Sequence, residues 1–197
     1  MVMSTEINPV VVSRNTKETK IDLSLNIKGT QKLDINTGIG FLDHMIEQLA
    51  NHARWDLSIN VAGDLHIDDH HTVEDIAICL GDALQQSWRA LPSMQRYGQR
   101  LLPMDEALIL CAVDLSGRGI YRGELNFTRE MLGGASTEMF EHFFNTLASS
   151  AAMTLHIEPM YFRNNHHLAE GCFKAVAYAL KEALSEATGD NTTKGVL

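Results

Sequence analysis

Two kinds of hydrophobic spacing alternate along the chain. Ile21 to Ile27 (I-D-L-S-L-N-I) and Trp55 to Val61 (W-D-L-S-I-N-V) carry apolar residues at every other position, the pattern of a half-buried strand. Val10 to Val12, Glu106 to Leu115, Ile120 to Leu125 and the short Thr154 to Ile157 read as further strands, with an S-G-R-G turn between Glu106–Leu115 and Ile120–Leu125. Helical runs separate them. After Gly38 and Gly40, the segment FLDHMIEQLANHA places Phe41, Leu42, Met45, Ile46 and Leu49 on one stripe. In DDHHTVEDIAICLGDALQQSWRAL, Val73, Ile76, Ala77, Leu80 and Leu84 recur at helical spacing, and Pro92 marks the exit. Glu138 to Met153 and His167 to Ala187 complete four predicted helices, and the tail TGDNTTKGVL is polar and turn-like.

These elements occur in two copies. LDHMIEQLANHARWDLSI followed by DDHHTVEDIAICLGDAL corresponds to FEHFFNTLASSAAMTLHI followed by NNHHLAEGCFKAVAYAL. His44 aligns with His142, and the doublet His70-His71 aligns with His166-His167. A repeat of this length, present twice, is an internal duplication rather than a solenoid. The expected architecture is α+β: one domain over 1–197 built of two similar β-α halves, about 1–95 and 96–197, packed about a pseudo-twofold. No G-x-G-x-x-G follows a strand, which argues against dinucleotide binding.

Composition narrows the partners. With 197 residues, 45% hydrophobic and 21% charged, the chain is long enough to bury roughly 70% of its unfolded surface without staples. A net charge of −9 argues against nucleic acid or an anionic membrane surface. Cys79, Cys111 and Cys172 are odd in number and sit among apolar neighbours, as buried reduced thiols do. No apolar stretch spans a bilayer and no leader pattern opens the chain, so a cytoplasmic protein is expected.

Against this ordinary background stand nine histidines, six of them in the duplicated constellation. On a helix, residues four apart share a face and adjacent ones diverge by about 100°. His70 and Glu74 therefore point the same way, as do His166 and Glu170, while His71 and His167 point elsewhere. If each half gives its His-Glu clamp to one ion and its odd histidine to the other, two mixed sites result, each completed by His44 or His142. Three imidazoles and one carboxylate leave open positions on an octahedral ion, which suits catalysis better than a closed structural site. The ligand types admit several divalent metals, manganese among them. His52, His66 and His156 have no duplicated partners, although His52 lies further along the helix of His44 and can face the site. Arg96, Arg118 in the S-G-R-G turn, Lys174 and Lys194 are the cations available to an anionic ligand. Arg118 has small neighbours, and Lys174 lies one turn past Glu170.

GIGFLDHM, DLHIDDHHTVEDIAICLGDAL, DLSGRG, EHFFNTLA and NNHHLAEGCFKAVAYAL closely resemble the signatures of the imidazoleglycerol-phosphate dehydratases, from RNTKET near residue 14 to TKGVL at the end. The resemblance implies a ribosomal-protein-like two-layer arrangement in each half, a four-stranded sheet with helices packed on one face. It implies removal of water from D-erythro-imidazole glycerol phosphate to give imidazole acetol phosphate, in histidine biosynthesis. Two Mn2+ per subunit are implied, one held by His44, His71, His166 and Glu170, the other by His70, Glu74, His142 and His167. Arg96, Arg118, Lys174 and Lys194 match phosphate-holding positions, His52 joins the substrate-binding set, and Glu18 matches an acid that faces substrate and is the candidate for proton transfer. Metals at subunit contacts and a homo-oligomer of about 24 subunits built from trimers are implied as well. The sequence departs from the family at Arg163, Gly119 and Thr193, positions that shape loops rather than supply ligands. A dinuclear phosphoesterase and a non-enzymatic metal-binding assembly remain the alternatives. The first lacks an Asp-rich bridging motif, and the second leaves the cations unexplained.

Overall fold

A computed structural model describes residues 8–188, so Lys194 lies outside the described residues. The first half runs β1 (Val10–Asn15), β2 (Thr19–Asn26), β3 (Leu33–Asn36), α1 (Gly40–Ala53), β4 (Asp56–Gly63) and α2 (His70–Arg89). The second runs β5 (Tyr97–Met104), β6 (Ala107–Asp114), β7 (Ile120–Gly123), a hairpin of β8 (Met131–Leu132) and β9 (Ala135–Ser136), α3 (Glu138–Ser150), β10 (Thr154–Tyr161) and α4 (Asn165–Ala183). Each half builds a four-stranded sheet, and the strand orders correspond: β1-β2-β4-β3 and β5-β6-β10-β7. In both, three antiparallel strands are followed by one parallel edge strand. The fold is mixed α+β, as the spacing predicts, and the β8–β9 hairpin is an addition to the second half.

Alternation is legible where one face of a strand is buried. Ile21, Leu23 and Leu25 of β2 and Leu57, Ile59 and Val61 of β4 are buried, and the residues between them face outward. Two strands escape that reading, and both lie on sheet edges. β3 is four residues long, and β5 buries only Gly98 and Leu102 along eight positions, one of which is Pro103. Edge strands need no continuous apolar face and tolerate proline. The strands flanking the S-G-R-G turn, β6 and β7, are not neighbours, because β10 inserts between them. The helices also shift at their ends. α3 stops at Ser150 rather than Met153, and α4 spans Asn165–Ala183 rather than 167–187, with the Asn164 side chain accepting the His166 N–H at 2.8 Å as its cap.

The helices of the two halves pack crosswise. α2 lies on β1 and β2 and against α3, while α4 lies on β5 and β6 and against α1. Small residues allow the close approaches: a Cβ at Gly98 would come within 1.9 Å of the Ala179 carbonyl oxygen, and one at Gly81 within 2.5 Å of Ser150 Cβ. The Trp88 indole N–H donates to the Ala151 carbonyl at 2.9 Å, fastening α2 to α3. Phe140, Phe143, Phe144 and Phe173 fill the second half's core, and each such ring contributes about 2–3 kcal/mol through burial. All three cysteines are buried and unpaired, and burial pushes the Cys79 thiol up to about 11. No helix among the described residues is long and apolar enough to cross a membrane.

Candidate metal centres

Crosswise packing carries the duplicated residues into two clusters. α1 supplies His44, and α4 supplies His166 and Glu170 one turn apart. His44 Nε2 lies 3.4 Å and His166 Nε2 3.0 Å from the same Glu170 oxygen, Oε2. At the other seam α3 supplies His142, and α2 supplies His70 and Glu74. His142 Nε2 is 3.1 Å from Glu74 Oε1, and the rings of His70 and His142 are 4.8 Å apart. Within each triad one donor atom per residue lies within 4.8 Å of the others. Donors around a single ion, each about 2 Å from it, sit on the order of 3 Å apart. The donor set of two imidazoles and a carboxylate, preassembled by helix packing, therefore fits a divalent cation.

His71 and His167 belong to neither triad. Asp64 lies 3.0 Å from His71 Nδ1, and Glu106 lies 2.8 Å from His167 Nδ1. Each Nε2 is 3.8 Å from a second acid, Glu18 for His71 and Asp105 for His167. A carboxylate accepting from Nδ1–H leaves the lone pair on Nε2, the arrangement of a metal-binding imidazole. The Asp64 hydrogen bond raises the His71 pKa above its ordinary value, against the opposing effect of burial. The His167 hydrogen bond pulls Glu106 down to about 2.

Other candidate residues fall into two places. Lys174 Nζ is 2.6 Å from Glu170 Oε1, beside the first triad. Burial raises the Glu170 pKa, but Lys174 and then the two imidazoles outweigh it and hold the carboxyl below its usual value. His52, in the last turn of α1, has Nδ1 3.2 Å from the Tyr178 hydroxyl on α4, and burial and then the Lys174 charge lower its pKa. Arg96 and Arg118 sit elsewhere, around Asp114. Arg96 reaches that carboxylate through Nε at 2.7 Å and Nη2 at 3.1 Å from a left-handed backbone (φ 70°), and Arg118 Nη2 is 3.7 Å from it. The three described cations, Arg96, Arg118 and Lys174, are thus not one cluster within this chain. Glu18 occupies the β1–β2 turn with its side chain half exposed, and His66 and His156 are exposed.

The family model described as imidazoleglycerol-phosphate dehydratase matches residues 37–180. The chain belongs to that family. An imidazoleglycerol-phosphate dehydratase of Lachnoclostridium phytofermentans is 52% identical over 172 residues, 87% of this chain and 88% of the relative. One from Granulibacter bethesdensis is 48% identical over 190 residues, 94% and 97% of the two chains. The crystal structure of the Staphylococcus aureus imidazoleglycerol-phosphate dehydratase superposes with a TM-score of 0.84 at 34% identity, covering 91% of this chain and 99% of that one. The Pyrococcus furiosus structure, a complex with (S)-C348, gives 0.82 at 34% identity over 94% and 100%. The protein is accordingly a hydro-lyase of histidine biosynthesis, an imidazoleglycerol-phosphate dehydratase by family.

Four residues that contact the candidate site residues escape the sequence reading: Asp64, Glu106, Asp114 and Tyr178. Asp64 lies inside the quoted DLHIDDHH segment and Asp114 opens DLSGRG. Their signal is adjacency to ligand and cation motifs, but nothing in spacing says which of several acids turns toward the histidine. Glu106 and Tyr178 depend on tertiary pairing and have no local signature.

Proposed function

We propose that the protein catalyses the manganese-dependent dehydration of D-erythro-imidazole glycerol phosphate to imidazole acetol phosphate, using two ions per subunit. The carrying observation is the pair of cross-half triads, His44-His166-Glu170 and His70-Glu74-His142, each short of one imidazole. His71 would complete the first and His167 the second, from a neighbouring copy, since in one chain both turn away and are fixed at Nδ1 by acids. Assembly through trimers into about 24 subunits in the cytoplasm would then bring complete sites into being. Bound divalent ions would supply Lewis acidity that stabilises negative charge on the substrate imidazole, the electron sink that a carbon acid without a neighbouring carbonyl needs.

The chain's own groups do the rest. Arg96 and Arg118 carry the guanidinium pair for the phosphate, with Lys174 and Lys194 as its remaining cations. Glu18 moves the proton, its carboxylate standing 3.8 Å from His71 Nε2 and so beside a site that His71 completes. The dinuclear phosphoesterase reading is disfavoured because no residue belongs to both triads, so no carboxylate bridges them. Incubating manganese-loaded protein with imidazole glycerol phosphate, and separately with generic phosphate esters, decides the matter. Ketone formed without phosphate release supports the dehydratase, phosphate release supports the hydrolase, and turnover of neither supports a storage assembly.

A further inference from the structure

The turn that presents Glu18 is tied to α2, the helix of His70 and Glu74, by a polar clamp whose inner members, Thr19 and Asp75, are buried. Thr16 Oγ accepts the N–H of Glu18 at 3.1 Å and that of Thr19 at 2.9 Å, closing the turn. The Thr19 hydroxyl, buried, donates to Asp75 Oδ2, and the Arg14 Nε donates to Asp75 Oδ1 at 2.8 Å. Asp75 is itself buried and follows Glu74 on α2. One helical turn thus directs His70 and Glu74 toward the candidate triad with His142, and Asp75 inward at the strand turn carrying Glu18.

The second half supplies an internal control. Arg14 pairs with Ile21 across β1 and β2 as Leu102 pairs with Ile109 across β5 and β6, and Thr19 opens β2 as Ala107 opens β6. Gly171 follows Glu170 as Asp75 follows Glu74, and a Cβ at Gly171 would meet Ile109 and then Leu102. The same seam is therefore built from Leu102, Ala107 and Gly171, with no polar clamp. The acid at the corresponding turn, Glu106, lies at hydrogen-bond distance, 2.8 Å, from His167 Nδ1, whereas Glu18 stands 3.8 Å from His71 Nε2. The Arg14–Asp75 pair is only partly buried, with the Arg14 side chain 39% exposed, and such a pair is seldom worth more for stability than apolar residues of similar volume. The fold has an apolar solution to this seam and uses it where no substrate-facing acid is presented.

We infer that Arg14, Thr19 and Asp75 are positioning residues that hold Glu18 at its working distance from the metal-bearing turn of α2. The inference rests on the reading of Glu18 as the proton-transfer acid. Orientation errors of about an ångström cost up to about 100-fold in rate, so the clamp would act on kcat and not on metal binding.

The test compares Thr19→Val, Thr19→Ser, Glu18→Gln and the double variant Thr19→Val/Glu18→Gln in the manganese-loaded assembly. Glu18→Gln is expected to lower kcat by about 100-fold or more. Thr19→Val is expected to lower kcat by about 10-fold to 100-fold. KM should stay within about twofold, metal content should be unchanged and amide exchange at residues 16–19 should be faster, while Thr19→Ser restores kcat. The double variant should lose no more than Glu18→Gln alone, because the clamp acts through that carboxylate. Should Thr19→Val misfold, the triple replacement Arg14→Leu/Thr19→Ala/Asp75→Gly, which copies the second half, takes its place. Full activity of Glu18→Gln would overturn the reading of Glu18 and the clamp with it. An impaired Glu18→Gln beside an unimpaired Thr19→Val, multiplicative losses, or a fall in metal content overturns the clamp alone.

Discussion

The two triads are copies in ligand type and unlike in setting. Glu170 is buried and gripped by Lys174, whereas Glu74 has a side chain 39% exposed and faces His142 alone at hydrogen-bond distance. The outward histidines diverge as well. His71 takes its orienting carboxylate from Asp64, just past β4, while His167 takes its from Glu106, in the β5–β6 turn. Duplication therefore preserved what helix spacing dictates, the i and i+4 ligands, and left the supporting groups to be found separately in each half. The supporting groups are where the two halves can differ without disturbing the candidate ligand triads.

The largest effect should come from breaking either triad. His70→Ala and His166→Ala each remove one of the two imidazoles of a triad, and each is expected to lose one of two ions per chain and at least about 1,000-fold in turnover. Metal analysis of the purified variants checks this. Two ions retained by both variants would remove the triads as binding sites. Next come the orienting acids, which separate the halves more finely. Asp64→Asn and Glu106→Gln should each weaken metal affinity by about 10- to 100-fold, each through a different histidine, with the folded subunit intact. Titration with a chelator reads the loss, and equal affinity in wild type and variants would mean that Nδ1 is held well enough without the charge.

How far this was legible in the sequence follows the same division. The His-Glu clamps were within reach because 3.6 residues per turn fixes which side chains share a face, and because the motif occurs twice in register, whereas the pairing of His44 with His166-Glu170 and of His142 with His70-Glu74 was implied only by the family resemblance. Four helices and the central strands were readable for the same reason, since a one-sided burial pattern writes itself as a period. β3 and β5 were not, because an edge strand such as Y-G-Q-R-L-L-P-M has no continuous buried face to leave a trace. The groups around the site, Asp64, Glu106, Asp114 and Tyr178, depend on which of several polar residues the tertiary packing turns inward. That Arg96 and Arg118 gather on Asp114 while Lys174 lies with Glu170 is likewise a matter of chain path and not of spacing.

A smaller effect tests the contrast at the helix–sheet seams. Gly171 sits where the first half has Asp75, and a Cβ there would stand 2.5 Å from Ile109 Cδ1. Ile109 is fully buried, so its end must move within a packed core. Gly171→Ala is expected to cost about 1–3 kcal/mol, read as a lower denaturant midpoint at unchanged slope. An unchanged midpoint would show that the second seam has slack, and that its lack of a side chain is not a packing requirement.

The smallest expected effect concerns the loops that enter the parallel edge strands. In the second half the loop into β7 packs through Gly119, whose Cβ position lies 2.6 Å from Ser149 Cα. In the first half the loop into β3 is pinned by a charge: Asp56 Oδ1 accepts the N–H of Thr30 at 2.6 Å and of Lys32 at 2.9 Å. Burial pushes the Asp56 pKa up, but these two backbone donors, with the Lys32 charge, outweigh it and leave it lowered. A depressed carboxyl pKa stabilises the fold fully above the ordinary aspartate value of about 3.9, and that stabilisation disappears as pH falls through the lower folded value. Asp56→Asn keeps an acceptor and removes the charge, so it should cost no more than about 1 kcal/mol at pH 7 after solvent screening. Its deficit should shrink toward zero in acid, where the wild-type carboxyl is protonated too. Denaturant midpoints of wild type and variant at pH 7, 4 and 3 measure this, and a deficit that stays constant into acid would assign the loop's order to the hydrogen bonds alone, without the charge.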